Sequence, residues 1–407
     1  MIPQKIAYLA SEYPGISHTF ILREIQTLRE QGLTVETASI RQPTSLEKMP
    51  AAERHEVEQS LYIKSTPLLQ VIAMHWLLLR TRPASYLKML LTTWRVYWGG
   101  ARNLVKAVGY LAEAGILLDW MHRKQLRHLH VHFANPAATV AMLAATYETV
   151  EYSLSIHGPD VFYNVDKNLM PQKIAGARFV RCISHYCLSQ VLRLVPSSLW
   201  DRCQVVRCGI DPLVFNPRPD PVNAIPELLC LGRLVAAKGQ HILLQACGLL
   251  KQRGVAFHLT LVGDGEDRLS LQAQVQHLTL ESEVEFVGAV GSDQVHRFYD
   301  RADLFVLASF AEGVPVVLME AMAKEVTSVS TRITGIPELI EDGRDGVLVA
   351  PANALELAEK LQQLIADPDL RQHLGAAGRV RVINDYDLKK NSQVLGNLFK
   401  SLDVSEG

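Results

Sequence analysis

The stretch that decides the fold class is Glu312-Gly313-Val314-Pro315-Val316-Val317-Leu318-Met319-Glu320. It follows an apolar run, residues 303–308, which predicts a buried strand, and it precedes Ala321-Met322-Ala323, which continues a helix without a breaker. Pro315 is expected at the first helical position, because a residue without an amide hydrogen loses nothing there. The chain therefore runs strand, tight loop, helix, as in a doubly wound α/β sheet, which binds its ligands beyond the carboxyl ends of its strands.

This loop and helix combine acidic side chains with groups that attract an anion. The amides of the loop and the positive end of the helix dipole favour a phosphate above the strand. Glu312 lies in the loop, within reach of hydroxyls beside such a phosphate, and Glu320 lies further along the helix, where a diol fits. The pattern therefore indicates a sugar nucleotide. Without further context, two solvated surface glutamates are the commoner explanation.

The wording E-G-V-P-V-V-L-M-E-A-M-A, with its E-x7-E spacing, resembles the signature of the retaining family-4 glycosyltransferases. The resemblance extends over nearly the whole chain and is most specific between residues 228 and 349. It implies the GT-B fold, an α/β architecture of two Rossmann-like doubly wound domains that face a central cleft. Y-P-x-x-S-x-T-F-I-x-R-E-I, which begins at Tyr13, resembles members that build bacterial exopolysaccharide or lipid-linked glycans.

A pair of cations follows the strand that opens the second domain. Residues 228–232 are predicted to form a buried strand, and Arg233 and Lys238 come next, before a helix from Gln240. Arginine binds a diphosphate through parallel hydrogen bonds, and lysine binds it as a point charge. Solvated cations are the plain alternative, but G-R-L-x-x-x-K-G resembles the diphosphate clamp of the family.

The resemblance also implies a role for each residue. Arg233 and Lys238 would bind the diphosphate, and Glu320 would bind the ribose diol. Glu312 would bind the sugar hydroxyls, and His157, in H-G-x-D, would contact the sugar from the other domain. The candidate catalytic residues are therefore Glu312, His157, Arg233 and Lys238. The predicted donor-binding residues are Gly15, Gly232, Arg233, Lys238, Gly288, Ala289, Glu312, Gly313, Val314, Pro315, Val316, Val317 and Glu320.

The first half of the chain opens like a Rossmann-like domain. Residues 5–10 are predicted as a strand, 19–30 as a helix and 33–40 as a second strand. The first loop lacks G-x-G-x-x-G, so a dinucleotide fingerprint is not supported. Gly15 either lets the backbone approach a phosphate or is a plain turn glycine. The candidate acceptor-binding residues are Ser17, His18, His157 and Asp160.

Residues 59–112 differ in composition from the rest of the chain. They contain no Asp or Glu, and tryptophans and tyrosines are interleaved with leucines in a helical pattern. Such a segment either lies on anionic lipid or packs as a helical insertion on its own domain, and the charge asymmetry favours the membrane. Its cations are Lys64, Arg80, Arg82, Lys88, Arg95, Arg102 and Lys106.

The chain, at 407 residues, is long enough for two domains. We expect an acceptor-side domain over residues 1–216, which includes the helical insertion of about 59–112. A stiff proline-rich linker then leads into a nucleotide-sugar-binding domain over residues 217–385. Residues 386–407 are expected to form a helix that crosses back to the first domain, as the resemblance implies.

Charge and cysteine usage exclude several classes of function. A net charge of −1 argues against nucleic-acid binding. The six cysteines form no C-x-x-C pair, so buried free thiols in a reducing cytosol are expected rather than a zinc site. His128, His130 and His132 alternate as on a strand, for which partial burial is a commoner explanation than metal binding. We therefore expect no metal and no cofactor, in keeping with the resemblance.

The combined prediction is a retaining hexosyltransferase that uses a UDP-, GDP- or ADP-sugar and acts on a glycan or lipid-linked acceptor for cell-surface polysaccharide. The sequence lacks a signal peptide and a bilayer-spanning run, which predicts a cytoplasmic protein, peripheral at the inner face of the plasma membrane. The alternatives are a sugar-nucleotide epimerase or hydrolase on the same fold and a non-catalytic, membrane-associated nucleotide-sugar-binding protein. A dehydrogenase is disfavoured because the glycine fingerprint is missing.

Overall fold

The structure is a computed structural model that describes residues 5–15, 19–43, 51–97, 100–219 and 223–402. The chain divides into two compact units. The first unit comprises Met1–Ile183, Cys187–Val206 and Ser392–Gly407, and the second comprises Ser184–Tyr186 and Arg207–Asn391. We refer to them as the first and second domains.

The first domain is built on a parallel sheet. Its strands are β1 (Lys5–Glu12), β2 (Thr34–Arg41), β3 (Leu61–Tyr62), β4 (His128–His132), β5 (Glu151–Ile156), β6 (Val180–Cys182) and β7 (Cys203–Val205). They lie in the order β3-β2-β1-β4-β5-β6-β7. The chain leaves β1 towards one edge and resumes with β4 on the other side of β1, so the strand order reverses between β1 and β4.

Helices connect these strands, as parallel pairing requires. They are α1 (Thr19–Glu30), α2 (Ala51–Gln59), α3 (Leu68–Thr81), α4 (Pro83–Val96), α5 (Ala101–Lys124), α6 (Pro136–Ala145), α7 (Met170–Gly176) and α8 (His185–Leu192). The start of α6 shows how the sequence fixes a helix end. The Asn135 side chain accepts a hydrogen bond from the Ala137 amide (3.0 Å), and Pro136 fills the first helical position.

The second domain repeats this plan. Its strands are β8 (Glu227–Leu231), β9 (His258–Val262), β10 (Val284–Gly288), β11 (Leu304–Leu307), β12 (Thr327–Thr331) and β13 (Val347–Val349), and they lie in the order β10-β9-β8-β11-β12-β13. All of these pairings are parallel, and the order reverses between β8 and β11. The helices are α9 (Gln240–Gln252), α10 (Arg268–His277), α11 (His296–Arg301), α12 (Val316–Ala323), α13 (Ile336–Leu339), α14 (Ala354–Ala366) and α15 (Pro368–Asp385).

The last helix, α16 (Leu388–Leu402), starts in the second domain, and from Ser392 onwards it belongs to the first. Leu395 and Phe399 are fully buried there, in an apolar cluster with residues of β1 and α1. The first domain therefore takes part of its core from the end of the chain.

The strand, loop and helix predicted around residues 303–323 are confirmed by β11 and α12, with one correction. α12 begins at Val316, and Pro315 precedes it in an extended conformation (φ −69°, ψ 123°). Pro315 therefore caps the helix instead of filling its first position. The predicted helix 19–30 coincides with α1, and the predicted strands 5–10, 33–40 and 228–232 correspond to β1, β2 and β8 with slightly different ends.

Residues 59–112, which contain no Asp or Glu, form α3, α4 and the first half of α5, and these helices pack on the first domain and also expose apolar side chains. Leu78 of α3 and Met89 of α4 are buried in the core of the domain. Within the residues described, none of the helices combines the length and the apolar character that crossing a bilayer requires. The exposed apolar side chains of these helices are Leu68, Leu69, Ile72, Trp76, Leu77, Leu79, Leu87, Leu91, Trp94, Leu104, Val105 and Val108.

Candidate active site

The loop after β8 carries both predicted cations. The Gln240 side-chain amide donates to the Arg233 carbonyl oxygen (2.9 Å) and holds the loop against the start of α9. Gly239 has a φ of +64°, and a Cβ there would lie 2.0 Å from the Ala308 carbonyl oxygen, so this position requires glycine where the loop meets the end of β11. The Arg233 side chain is exposed and Lys238 is partly exposed. Both cations are therefore accessible to a ligand.

The loop after β11 places Glu312 against Lys238. The Lys238 Nζ lies 2.5 Å from Glu312 Oε1, and the Ser309 hydroxyl donates to the same oxygen (2.8 Å). The Thr334 hydroxyl donates to the Glu312 carbonyl oxygen (2.5 Å) and fixes the backbone of the loop. Since β8 and β11 are the neighbours between which the strand order reverses, the predicted clamp lysine and the first glutamate meet at the switch point of this sheet.

This ion pair positions Lys238 and leaves part of its hydrogen-bonding capacity unused. An ammonium has three N–H donors, so its contact with Glu312 Oε1 leaves capacity for the oxygens of a phosphate. Glu312, in turn, is largely buried, which fixes its carboxylate. The pair can therefore present a cation and an anion side by side, as a ligand with phosphate and hydroxyl groups requires.

Glu320 lies in the middle of α12 and is nearly buried. Its Oε2 accepts a hydrogen bond from the Tyr299 hydroxyl (3.1 Å), which also lies 3.3 Å from the Val317 carbonyl oxygen. The first amides of α12 have no acceptor within the helix, as at any helix start. The helix thus presents donors at its amino end and an oriented carboxylate one turn later.

The ends of β9 and β10 approach the loop after β8. The Gly263 amide donates to the Gly288 carbonyl oxygen (2.9 Å), and a Cβ on Gly263 would lie 1.9 Å from the Gly232 carbonyl oxygen. Gly288 has a φ of +88°, and Ala289 after it is exposed. The predicted donor-binding residues of the second domain therefore all follow strand ends at one edge of its sheet.

The candidates in the loops of the first domain are described in part. Gly15 is buried two residues after Tyr13, whose hydroxyl donates to Glu56 Oε2 (3.0 Å). Ser17 and His18 lie outside the described residues, as does the side chain of Asp160, which belongs to a 3-10 turn (Pro159–Phe162).

His157 follows β5 and lies against His132, the last residue of the neighbouring β4. Its Nε2 is 2.9 Å from His132 Nδ1, and the two rings are stacked with centroids 5.0 Å apart. The rings of Phe20 and Phe133 lie 4.9 Å and 5.0 Å from the His157 ring. Only 7% of His157 is exposed, so its ring is held by neighbours on several sides.

A buried ion pair lies behind His132. Arg181 Nη1 donates to Glu24 Oε2, while Glu24 Oε1 accepts from the Tyr8 hydroxyl (3.1 Å) and lies 3.3 Å from His132 Nε2. Burial alone would raise the pKa of the Glu24 carboxyl, but the Arg181 guanidinium and His132 hold it well below its usual range. Glu24 is therefore an anion in the interior of the domain.

The other two histidines of β4 bond to serines of β5. His130 Nδ1 lies 2.7 Å from Ser153 Oγ and its Nε2 lies 2.8 Å from Ser155 Oγ, while His128 Nε2 lies 2.8 Å from Ser153 Oγ. Burial lowers the pKa of His128 to about 3 and lowers the pKa of His130 well below its usual range. Both imidazoles are therefore neutral. Both are buried, His130 completely and His128 with 7% of its surface exposed, where partial burial was expected.

Among the described residues, ligand atoms of Glu24, His130 and His132 lie within 4.8 Å of one another, close enough to hold a metal ion. A cation there would meet the Arg181 guanidinium on Glu24, and it would have to displace a serine from His130. The surroundings therefore do not favour a metal. All six cysteines are buried and free, as predicted.

Several side chains of the site are not predicted by the sequence patterns. In the second domain they are Tyr299, Ser309 and Thr334, and in the first domain they are Glu24 and Arg181. Ser309 offered a signal, because a small polar residue directly after a buried strand lies at the ligand-binding edge of a sheet. The contacts of Tyr299 and Arg181 depend on which elements pack together, so the sequence carries no local signal for them.

Two parallel sheets, each with a reversal of strand order, define a protein of the GT-B class. The chain superimposes on the crystal structure of HepE from Anabaena in complex with UDP and glucose, with a TM-score of 0.76, 18% identity and coverage of 98% of this chain and 100% of HepE. Residues 221–381 match the family model of glycosyl transferases group 1. The similarity to group 1 glycosyltransferases therefore lies in the second domain, and the predicted resemblance and fold are confirmed.

Two of the curated relatives carry names from polysaccharide biosynthesis. The chain is 26% identical over 435 residues to the putative colanic acid biosynthesis glycosyltransferase WcaL of Escherichia coli (strain K12), covering 98% of this chain and 100% of WcaL. It is 36% identical over 171 residues to the amylovoran biosynthesis glycosyltransferase AmsK of Erwinia amylovora, covering 40% of this chain and 42% of AmsK.

Proposed function

We propose that this protein is a retaining glycosyltransferase that moves a hexose from a nucleotide-diphosphate sugar to a glycan or lipid-linked acceptor in cell-surface polysaccharide synthesis. The observation that carries the proposal is the meeting of Lys238 and Glu312 at the switch point of the second sheet (2.5 Å). The names of WcaL and AmsK, which are exopolysaccharide enzymes, support the choice of pathway.

The second domain offers the groups that breaking a glycosidic bond to diphosphate needs. As the anomeric C–O bond breaks, its electron pair passes to the diphosphate oxygen, and negative charge grows there. Lys238, the exposed Arg233 and the amides at the start of α12 lie at one sheet edge, where they would stabilise that charge. Glu312 would bind hydroxyls of the hexose, and Glu320 would bind the ribose diol.

In the proposed reaction the acceptor oxygen attacks the anomeric carbon from the face that the diphosphate leaves. The proton of the acceptor hydroxyl passes to the departing oxygen, so the configuration is retained. His157 would contact the donor sugar, as the resemblance implies. The charges of Arg233 and Lys238 take the role that a metal ion has in other transferases, and the proposal therefore includes no metal.

The test is a donor screen followed by transfer. UDP-, GDP- and ADP-sugars are compared by thermal shift, because a ligand that binds only the folded state raises its stability. UDP-glucose is tried first, since HepE was crystallised with UDP and glucose. We expect one donor to stabilise the protein, and a transferred sugar whose anomeric configuration, read by NMR, matches that of the donor. An inverted product would contradict the retaining mechanism.

The same assay separates the alternatives. Rapid turnover of the donor without an acceptor would indicate an epimerase or hydrolase. Donor binding without turnover on any lipid-linked glycan would indicate a non-catalytic binding protein.

The proposal includes a peripheral position on the anionic inner face of the plasma membrane, through the outer surface of α3, α4 and α5. Exposed apolar residues recur there every three or four positions, for example Leu87, Leu91 and Trp94 on α4. Burying such stripes in lipid is favourable, and the segment 59–112 carries cations without any acid, which suits an anionic surface. This surface would bring the enzyme to a lipid-linked acceptor.

Flotation with phosphatidylcholine vesicles, with and without phosphatidylglycerol, tests this surface. We expect binding to the anionic vesicles that weakens with salt. Leu69→Ser, at a residue 81% exposed, should weaken binding about tenfold or more, because a leucine contributes about 1.5–3 kcal/mol on burial. Leu269→Ser, at a residue 79% exposed on α10, is the matched control. Equal binding of both variants, or a dimer that buries Leu69 instead, would contradict the proposal.

A further inference from the structure

The buried polar groups of the first domain form a chain that ends on His157. It runs from Arg181 to Glu24, from Glu24 to His132 and from His132 to His157. Glu24, His132 and Arg181 are each at most 3% exposed. Burying an ion pair costs stability unless its partners are well placed. A buried ion pair connected to a residue of the candidate site is therefore a candidate for a functional role.

The charge of Glu24 decides where His132 carries its proton. Glu24 Oε1 lies 3.3 Å from His132 Nε2, so the two groups are in electrostatic contact, although these atoms do not form a hydrogen bond. A carboxylate anion at this distance attracts an N–H dipole and repels a lone pair, so the proton of neutral His132 resides on Nε2. Its Nδ1 then carries the lone pair and is a hydrogen-bond acceptor.

His132 in turn decides the tautomer of His157. Since His132 Nδ1 accepts, the His157 Nε2 that lies 2.9 Å away must donate. Neutral His157 therefore carries its proton on Nε2 and its lone pair on Nδ1. The stacking of the two rings, with an interplanar angle of 15°, also limits the rotation of the His157 ring.

We propose that Glu24, supported by Arg181 and acting through His132, is a positioning residue that fixes the ring and the tautomer of His157. The lone pair of His157 is then fixed on Nδ1. The inference rests on the proposed function for the role of His157, but the tautomer is a property of the protein alone. His128 and His130 bond to serines and are not part of this series of polar contacts.

The first test reads the tautomer without any substrate. The full-length protein is labelled with 15N-histidine, and the His157 signals are assigned by their loss in His157→Gln. We expect a protonated Nε2 and an unprotonated Nδ1 in the native protein. In His132→Leu, which removes the acceptor, we expect a mixture of tautomers. A native His157 protonated on Nδ1 would overturn the proposal.

The second test reads turnover in matched variants. His132→Leu should lower kcat about tenfold or more, with little change in the KM for the donor. A loss of this size is expected when a catalytic imidazole is misplaced. His132→Asn, whose amide oxygen can replace Nδ1 as acceptor, should recover much of that loss. His128→Leu removes a histidine of the same strand and should leave kcat near the native value.

The tests also separate this inference from the proposed function. If no donor and acceptor give turnover, the proposed function fails, yet the nitrogen signals still decide whether His132 sets the tautomer of His157. If turnover is found but His132→Leu and His128→Leu lower kcat equally, the effect is general loss of packing and the positioning role is wrong. Thermal unfolding of each variant confirms that it is folded when assayed.

Discussion

The two domains share a sheet plan but hold their site residues in opposite ways. His157 of the first domain is held by side chains within the sheet, where the histidines of β4 meet serines of β5 and an ion pair lies behind them. Lys238 and Glu312 of the second domain come from loops, and glycines let those loops approach other backbone closely. Changes in the first domain should therefore act through the protonation and packing of the sheet, and changes in the second should act through the geometry of the loops and the charges that they carry.

The largest effect is expected from removing the cation of the second domain. Lys238→Ala should lower kcat about 10²- to 10³-fold, as the loss of one preorganised donor to a developing anion does. The free energy of unfolding should fall by about 1–3 kcal/mol, because the substitution leaves the largely buried Glu312 carboxylate without its cation. Initial rates and chemical denaturation measure the two quantities.

A matched ion pair provides the control for Lys238. Lys251 pairs with Glu283 (2.9 Å) in the same domain but follows no strand end of the site. Lys251→Ala should keep native turnover. If it lowered kcat as much as Lys238→Ala, the cation at the switch point would have no special role.

A smaller effect is expected where the second domain depends on backbone geometry. Gly239→Ala should destabilise the domain by about 2–3 kcal/mol and weaken donor binding, because the added Cβ would meet the Ala308 carbonyl oxygen at 2.0 Å. Gly254 has a similar φ (+71°) with nothing within 4 Å, so Gly254→Ala should cost only the backbone strain of about 1–2 kcal/mol. Equal losses in denaturant titrations would show that strain, and not the close approach, sets the cost.

The buried histidines predict that acid weakens the first domain. In the unfolded chain histidine titrates near pH 6.5, whereas burial lowers the pKa of His128 to about 3. At pH values between these two pKa values, the unfolded state binds more protons than the folded state. The free energy of unfolding therefore falls as the pH decreases from about 6.5 to 3, by up to about 1.4 kcal/mol per pH unit for this histidine.

Hydrogen exchange measures this difference between the domains. Amides of β4 and β5 should lose protection, corrected for intrinsic exchange, at a higher pH than amides of β8 and β9. His128→Leu should reduce the pH dependence in β4. A loss of protection that is the same in both sheets would contradict the proposed source of the acid sensitivity.

The smallest effect is expected from the hydroxyl of Tyr299. Tyr299→Phe removes the hydrogen bond to Glu320 (3.1 Å) and should weaken donor binding by about 1 kcal/mol, or roughly fivefold. A donor with a 2′-deoxyribose should show a smaller change, because Glu320 is proposed to bind the ribose diol. Titration calorimetry with both donors measures it, and an equal change for both would argue against that role.

The sequence predicted those parts of the fold that local patterns determine. The helix at 19–30 and the strand, loop and helix around Glu312 follow from apolar periodicity and strand ends, and they are confirmed. Pro315 was placed one residue too far into the helix, because the proline alone does not distinguish a cap from a first helical position. The resemblance supplied the pairing of Lys238 with the glutamate loop, which no spacing rule connects.

The polar contacts behind His157 could not be predicted from the sequence, for a physical reason. His132 and His157 meet because β4 and β5 pair in one register, with His132 opposite Ser155. A shift by one residue would turn the histidines of β4 to the other face. Glu24 and Arg181 come together from α1 and β6, which are far apart in the chain. Such contacts depend on packing, and residue patterns carry no record of them.

The final helix has a consequence for biosynthesis. Phe399 lies against Tyr8 and against the imidazoles of His128 and His130, so the core of the first domain lacks one wall until the ribosome has added α16. A nascent chain released before Leu395 would leave that core open to water. The first domain therefore completes its core only after the second domain has been translated, and products truncated before α16 should be sensitive to proteases.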